Sequence, residues 1–322
     1  MKNEAPPLPT VFFDELGAGM TIGPLTRTDF VRFAGAGGDF NPVHHDEVYA
    51  RGLGYPSVLA MGLFTASVAA RLFETWPLGQ ALKEYSVRFL APVWPGEELV
   101  IRAHVAGAAG QGSATRRVAV SVANLAGEWK MKGEAHTGAL PSIGGDAPSD
   151  KPGMVPPALP GVAEDVLAAR IGEIVRTVRF PVEAGKVREF ARAIGATSGL
   201  YCDQEAARRA GYADVPCPPT FTIVAPMYAC GEAIELPGRL GLDLNRVVHG
   251  EQAWIYHRTP VVGEVLQGET RLSSVGARMS AARQPLRIVT VETKFTDLHG
   301  RPVIDERMVM VEKPPGHGGM AG

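Results

Sequence analysis

The period of the apolar positions changes several times along this chain, and the changes mark out elements. From Thr28 the pattern is helical: Phe30, Phe33 and Ala34 share one face, Thr28 is placed as the cap with Asp29 in the first turn, and Gly35, Gly37 and Gly38 end the run. Asn41-Pro42 then signals a turn, and proline bars the helix from continuing. A short second helix is predicted from about Asp46, closed by Gly52 or Gly54. The segment PSVLAMGLFTASVAARLF (56–73) is apolar nearly all round, which predicts a buried helix. Four strand-like segments follow: YSVRFLAPV (85–93), ELVIRAHV (98–105), RRVAVSVAN (116–124) and EWKMKGEAHTG (128–138). The second half repeats this order with QAWIYHRTPVV, VLQGETRLSSV, LRIVTVETKFTD and PVIDERMVMVEK. A buried helix followed by antiparallel strands is an α+β layer pattern.

Between the halves, ALPSIGGDAPSDKPGMVPPALPG (139–161) is rich in Pro, Gly, Ser and Asp and has no apolar period. It reads as an interdomain linker, placed at 141–160, between a first domain (1–140) and a second (161–312), with a flexible tail at 313–322. The halves are copies of one another. At an offset of 157, FVRFAGAGGDFNPVHHDEVYARGLGY (30–55) aligns without a gap on VREFARAIGATSGLYCDQEAARRAGY (187–212). Nine of the 26 positions are identical, where average residue usage gives about one or two. Phe33 matches Phe190, Asp46 matches Asp203, and further on Phe64-Thr65 matches Phe221-Thr222. The differences fall together: Asp39 faces Ala196, His44 faces Tyr201 and Gly62 faces Pro219. Residues that only hold a fold are needed in both copies, whereas residues that do chemistry are needed in one. The pattern therefore predicts a catalytic first half and a second half that serves as scaffold or binding partner.

Composition narrows the setting. At 322 residues two domains are the better expectation, and 45% hydrophobic with 20% charged residues fits a soluble globular protein. A formal net charge of −2 and the lack of a basic stripe give no reason to expect nucleic acid. The longest apolar run, 58–73, contains Arg71 and falls short of the ~20 residues a membrane span needs. MKNEAPPLP carries no apolar signal-peptide core, and Cys202, Cys217 and Cys230 are too widely spaced for a disulfide framework or zinc knuckle. Free, mostly buried thiols in the cytoplasm are the expectation, with no metal and no cofactor.

The stretch GGDFNPVHHDE (37–47) carries the chemistry. DFNPVHHD resembles the D-x-N-P-x-H-x-D signature of MaoC-type, R-specific enoyl-CoA hydratases, and the resemblance extends over about 20–138. The second half, with KVREFARAIG, YCDQEAARRAGY, PPTF and HGEQAWIYHRTP, is similar over about 165–312 to the degenerate, FAS1-like dehydratase type of MaoC domain. The resemblance implies an α+β double hotdog, each half an antiparallel sheet wrapped around a long buried helix. It implies an acyl-CoA or acyl-carrier-protein thioester as substrate, no membrane partner, and room for a homodimer of double hotdogs. Where the family pattern has His before the active glycine, this chain has Met61.

Hydration of an enoyl thioester needs a base for water, an acid for the α carbon and a donor for the developing enolate oxygen. A carboxylate and an imidazole sharing one water serve the first two, and a backbone N–H at a helix N-terminus serves the third. By resemblance Asp39 and His44 activate the water, with His44 the proton donor, and Gly62 N–H meets the thioester oxygen to give the (3R)-hydroxyacyl product. Asn41 either positions Asp39 or caps its own turn, and with Tyr201, placed to shape the acyl pocket, it is the substrate-binding candidate. Asp46, matched by Asp203, reads as a helix cap, and His45, opposite Cys202, as a solvated imidazole. A two-histidine-one-carboxylate iron site on His44 and Asp46 would need His104 or His136, neither in a telling context. A hotdog acyl-CoA thioesterase and a non-catalytic acyl-thioester binding module stay open beside the hydratase reading.

Overall fold

A computed structural model gives the structure, which describes residues 10–14, 17–74, 81–108, 115–138, 166–196, 198–228, 235–280 and 283–315. Among the described residues the first half contributes β1 (Thr10–Asp14), β2 (Gly17–Ile22), β3 (Ala81–Phe89), β4 (Leu99–Ala108), β5 (Arg116–Asn124) and β6 (Trp129–Gly138). The second contributes β7 (Ile174–Pro181), β8 (Val247–Tyr256), β9 (Val265–Met279), β10 (Pro285–Asp297) and β11 (Pro302–Glu312). They form one antiparallel sheet in the order β1-β2-β4-β5-β6-β3-β8-β11-β10-β9-β7. Outward from the central β3–β8 pair, the two halves run through matching strands in the same order. Pairing β3 with β8 removes what would otherwise be an exposed edge on each half. Tyr85 lies opposite Trp254 in that seam, their rings stacked 5.5 Å apart at 11°.

The helices are α1 (Arg27–Gly37), α2 (Glu47–Gly52) and α3 (Gly62–Ala70) in the first half, and α4 (Ala184–Ala193), α5 (Gln204–Arg209) and α6 (Glu235–Arg239) in the second. The α3 helix is the buried centre of its half, with every residue from Phe64 to Ala70 buried, and a 3₁₀ turn at Arg71–Phe73 extends it. Its counterpart in the second half, Phe221–Tyr228, is a 3₁₀ segment instead. Pro226 inside it has no N–H to give to an α-helical ladder. The double hotdog stands, but the central element is α-helical in only one half. A single core runs through both halves, and a smaller one lies under α6 with Leu236, Leu240, Leu272 and Val291.

Several local expectations move. The cap of α1 is Thr26, not Thr28: Thr26 Oγ1 accepts from Asp29 N–H at 3.3 Å while Asp29 Oδ2 accepts from Thr26 N–H at 2.8 Å. Threonine and aspartate three apart make a reciprocal box that Thr28 cannot make. The helix predicted from Pro56 begins only at Gly62. Residues 56–61 are non-helical because their backbone groups are engaged elsewhere: Leu59 N–H donates to Val43 O at 3.3 Å and Ala60 N–H to Val93 O at 2.9 Å. The first strand after α3 starts at Ala81 and ends at Phe89, short of the predicted Val93. The β1, β2 and β7 strands had no clear sequence signal. Cys217 is buried, but Cys202 is exposed. The predicted linker, nearly all of the tail, and Cys230 lie outside the described residues. Among the described residues no helix is long and apolar enough to cross a membrane.

Candidate active site

The turn after α1 folds as its residues dictate. Pro42 opens a 3₁₀ turn, Pro42–His44, and Asn41 caps it, its Oδ1 accepting from Val43 N–H at 3.2 Å. Asp39 Oδ1 accepts from Asn41 N–H at 3.2 Å, which fixes the carboxylate at the mouth of the turn. Asp46 caps α2 by accepting from Val48 N–H at 2.9 Å and Tyr49 N–H at 3.0 Å. The second copy keeps both caps. Ser198, 157 residues after Asn41, accepts from Leu200 N–H at 3.2 Å, and Asp203 accepts from Glu205 N–H at 2.8 Å. A role shared by the copy without Asp39 and His44 is a folding role, and Asn41 fills it as the cap of its turn.

The turn brings His44 Nε2 to 3.8 Å from Asp39 Oδ2. The other ring nitrogen, Nδ1, lies 2.8 Å from the Leu59 carbonyl. A carbonyl only accepts, so Nδ1 carries the proton and Nε2 turns its lone pair toward Asp39. Burial holds His44 below the usual histidine range, the Asp39 charge and the Leu59 hydrogen bond oppose that shift, and His45 adds to it. The imidazole is thus neutral at neutral pH, with a carboxylate ready to stabilise its cation. Leu59 is a contact that side-chain reasoning could not find, because the group is a backbone carbonyl. It depends on residues 56–61 staying out of the helix.

That same segment delivers Gly62 three residues later as the first residue of α3. No side chain caps this N-terminus, which carries the positive end of the helix dipole. A Cβ built on Gly62 would come within 3.1 Å of the Phe89 ring, so Phe89 covers this point closely. The supporting loop is held by a buried lysine: Lys130 Nζ meets Glu97 Oε1 at 2.8 Å, Glu128 Oε2 at 2.7 Å and Pro92 O at 2.8 Å. The second half closes in from the far side. Met227 lies against Gly38, and Tyr49 OH donates to Asn245 Oδ1.

The other candidates lie elsewhere. Tyr201 is 4% exposed, and its neighbours are Glu74, Tyr212 and Cys217 rather than the Asp39–His44 pair. Its hydroxyl bonds the Glu74 carboxyl, which reaches over from the end of the α3 segment. Arg71, from the same turn, donates from Nη1 to Ile194 O at 3.2 Å. First-half side chains thus bond the second half here, which ties Tyr201 to contact between the halves. His45 Nε2 meets Phe40 O at 3.1 Å on the surface, and His136 is held by Glu84 at 2.9 Å and Glu134 at 3.0 Å. Among the described residues no group of three or more His, Cys, Asp or Glu side chains is arranged to hold a metal.

Residues 20–127 match the MaoC like domain, and residues 169–306 match the FAS1-like, dehydratase domain region. Together the matches take in most of the chain. The chain belongs to the UPF0336 proteins and joins a MaoC like domain to a FAS1-like dehydratase region. Asp39, His44 and Gly62 fall in the first match; Ala196, Tyr201 and Pro219 fall in the second. A UPF0336 protein of Saccharopolyspora erythraea is 37% identical over 137 residues, which are 42% of this chain and 84% of that protein. Solved structures of MaoC-like dehydratases share the fold over nearly the whole length. A putative MaoC domain protein dehydratase from Chloroflexus aurantiacus superposes with a TM-score of 0.63 at 14% identity, covering 98% of this chain and 100% of that one. A conserved hypothetical protein from Mycobacterium tuberculosis, described as having a double hotdog fold, gives 0.60 at 16%, covering 96% and 97%.

Proposed function

We propose that this chain hydrates trans-2-enoyl thioesters reversibly to (3R)-3-hydroxyacyl thioesters. The observation that carries the reading is the Asp39–His44 pair at 3.8 Å, too far apart to bond each other and close enough to hold one water between them. In hydration, neutral His44 Nε2 takes one proton from that water as its oxygen bonds to Cβ. Asp39 accepts the water's second hydrogen as a hydrogen bond and stabilises the imidazolium. Electron density moves through the double bond to the thioester oxygen, where Gly62 N–H meets it at the N-terminus of α3. The imidazolium then returns its proton to Cα on the same face, so one water is added and the histidine is regenerated. Dehydration runs the same steps backward. Burial of His44 supports the base role at neutral pH, since a solvated imidazole would be partly protonated.

The test is loss of absorbance at the enoyl-thioester band with a panel of trans-2-enoyl-CoA substrates of increasing acyl size, with chiral analysis of the product. Hydration to the (3R) alcohol supports the reading. Free thiol release without hydration would make the protein a thioesterase, and tight binding without turnover a binding module.

A further inference from the structure

The β8 strand contains a bulge. His249 pairs with Met310 and Glu251 with Val309, which leaves Gly250 unpaired between them. Gln252, Trp254 and Tyr256 all point into the core. By the two-residue period of a strand, 250 would be the next inward position and His249 would face out. The extra residue reverses the parity and turns His249 inward. Gly250 permits this because a Cβ there would stand 2.9 Å from Val311 Cγ2 and 3.3 Å from Val309 O.

The inward ring of His249 meets Phe89 edge-on, with centroids 5.1 Å apart at 71°. Phe89 is the ring that lies against Gly62. The imidazole is itself anchored: Nε2 lies 3.0 Å from Gln252 Oε1 and 3.2 Å from Glu251 O, both acceptors, so Nε2 carries the proton. Burial pushes His249 down to about 4, opposed by these hydrogen bonds and by Asp39, whose charge reaches it across the site. The ring is therefore neutral and fixed, and it comes from the half that lacks its own acid–base pair.

We propose that His249 is a positioning residue of the first half's site: anchored by Gln252 and turned in by the Gly250 bulge, it clamps the Phe89 ring over the N-terminus of α3 and so fixes where a thioester oxygen meets Gly62 N–H. This rests on the hydratase reading for its kinetic consequence, but the clamp itself has a readout that needs no activity. An edge-on aromatic contact prefers this geometry, and a misplaced oxyanion donor is costly because alignment dominates such sites.

The experiment follows the Gly62 amide resonance in ¹⁵N-glycine-labelled full-length protein, assigned by its loss in Gly62→Ala, together with hydration kinetics on a short trans-2-enoyl-CoA. His249→Ala should move the Gly62 resonance, because Phe89 swings and its ring current changes. It should lower kcat about 10- to 100-fold with KM within about twofold. His249→Phe, which keeps an aromatic edge, should restore both to within about twofold of wild type. Phe89→Ala combined with His249→Ala should be no slower than the worse single variant, as for two residues acting through one contact. An unmoved Gly62 resonance in His249→Ala, additive losses in the double variant, or no recovery in His249→Phe would each overturn the proposal. A wild-type protein that hydrates no enoyl thioester, yet whose Gly62 resonance moves and recovers in this way, would overturn the functional reading and leave the clamp standing.

Discussion

Phe33 and Phe190 stand at the same position of the two sequence copies and pack on one another, ring centroids 5.8 Å apart and tilted at 49°. They lie where α1 meets α4. Phe33 also meets Phe64 of α3 at 5.5 Å, and Phe190 meets Phe221 at 5.7 Å. Four rings thus link the central segments of both halves. Phe190→Ala, though confined to the half without the acid–base pair, should cost about 3–5 kcal/mol of stability. It should also lower activity as the first half's site loosens. Denaturant unfolding with an enoyl-hydration assay on the same samples checks this. A first half expressed alone and ending near 139 should be insoluble or inactive, since it would bare both β3 and the face of Phe33.

Much of this was legible in the sequence, and the reason is the repeat. An offset of 157 residues with Asp39, His44 and Gly62 replaced together singled out one half of the chain. The turn chemistry of Asn41-Pro42 then placed the candidate residues either side of one turn, as the structure has them. What the sequence pattern concealed depends on tertiary contacts. Residues 56–61 are as apolar as the helix that follows, so periodicity could not separate them. Their exclusion from α3 comes from backbone bonds to Val43 and Val93, and it leaves the Leu59 carbonyl free to meet the His44 ring. His249 was hidden for a similar reason, because its inward aim follows from a bulge.

Asp39 and His44 should fail as a unit. Asp39→Asn and His44→Ala should each slow hydration by about 10²–10⁴ while leaving the fold intact. The double variant should be little slower than the worse single, as for two side chains that act on one water. The pH profile separates their roles. Burial lowers the pKa of His44 and Asp39 partly restores it, so the active base form persists below the ordinary histidine midpoint of 6.5. In Asp39→Asn the restoring charge is gone. The acid limb of kcat/KM in that variant should therefore move to lower pH even as the rate falls. Additive losses, or a limb that moves upward, would count against a shared water.

Glu74 makes stability depend on pH. Burial raises its carboxyl from 4.5 to about 7, with Arg71 and the Tyr201 hydrogen bond opposing the shift. A raised carboxylate pKa means that the folded state binds more protons than the unfolded one between those values. Stability is therefore highest at the acid end of that window and falls as pH rises through about 7, by about 1–3 kcal/mol in all. Glu74→Gln, which cannot ionise, should flatten the dependence and match the wild type near pH 5. Thermal unfolding of both proteins from pH 5 to 8 is the check, and parallel curves would show that Glu74 ionises in the fold without cost.

Gly62 offers the sharpest test of the proposed thioester-oxygen site, because the second copy has already made the substitution. Pro219 stands where Gly62 stands, and it has no N–H. Position 62 is the first residue of α3, where proline is well tolerated because that N–H has no helical partner. Gly62→Pro should therefore leave the helix formed while removing the donor, and kcat should fall about 10²–10³-fold, as for loss of one oxyanion donor. Any side chain at 62 also presses on Phe89, which lies 3.1 Å from the Cβ position, so proline alone confounds two effects. Gly62→Ala supplies the Cβ and keeps the N–H. Its loss reports the push on Phe89, and the further loss in Gly62→Pro reports the donor. If the two variants lose the same activity, the N–H contributes nothing and the oxygen is held elsewhere. A Gly62→Pro protein that retains its far-ultraviolet spectrum and unfolding midpoint but loses a further 10²-fold beyond Gly62→Ala places the developing negative charge at the N-terminus of α3.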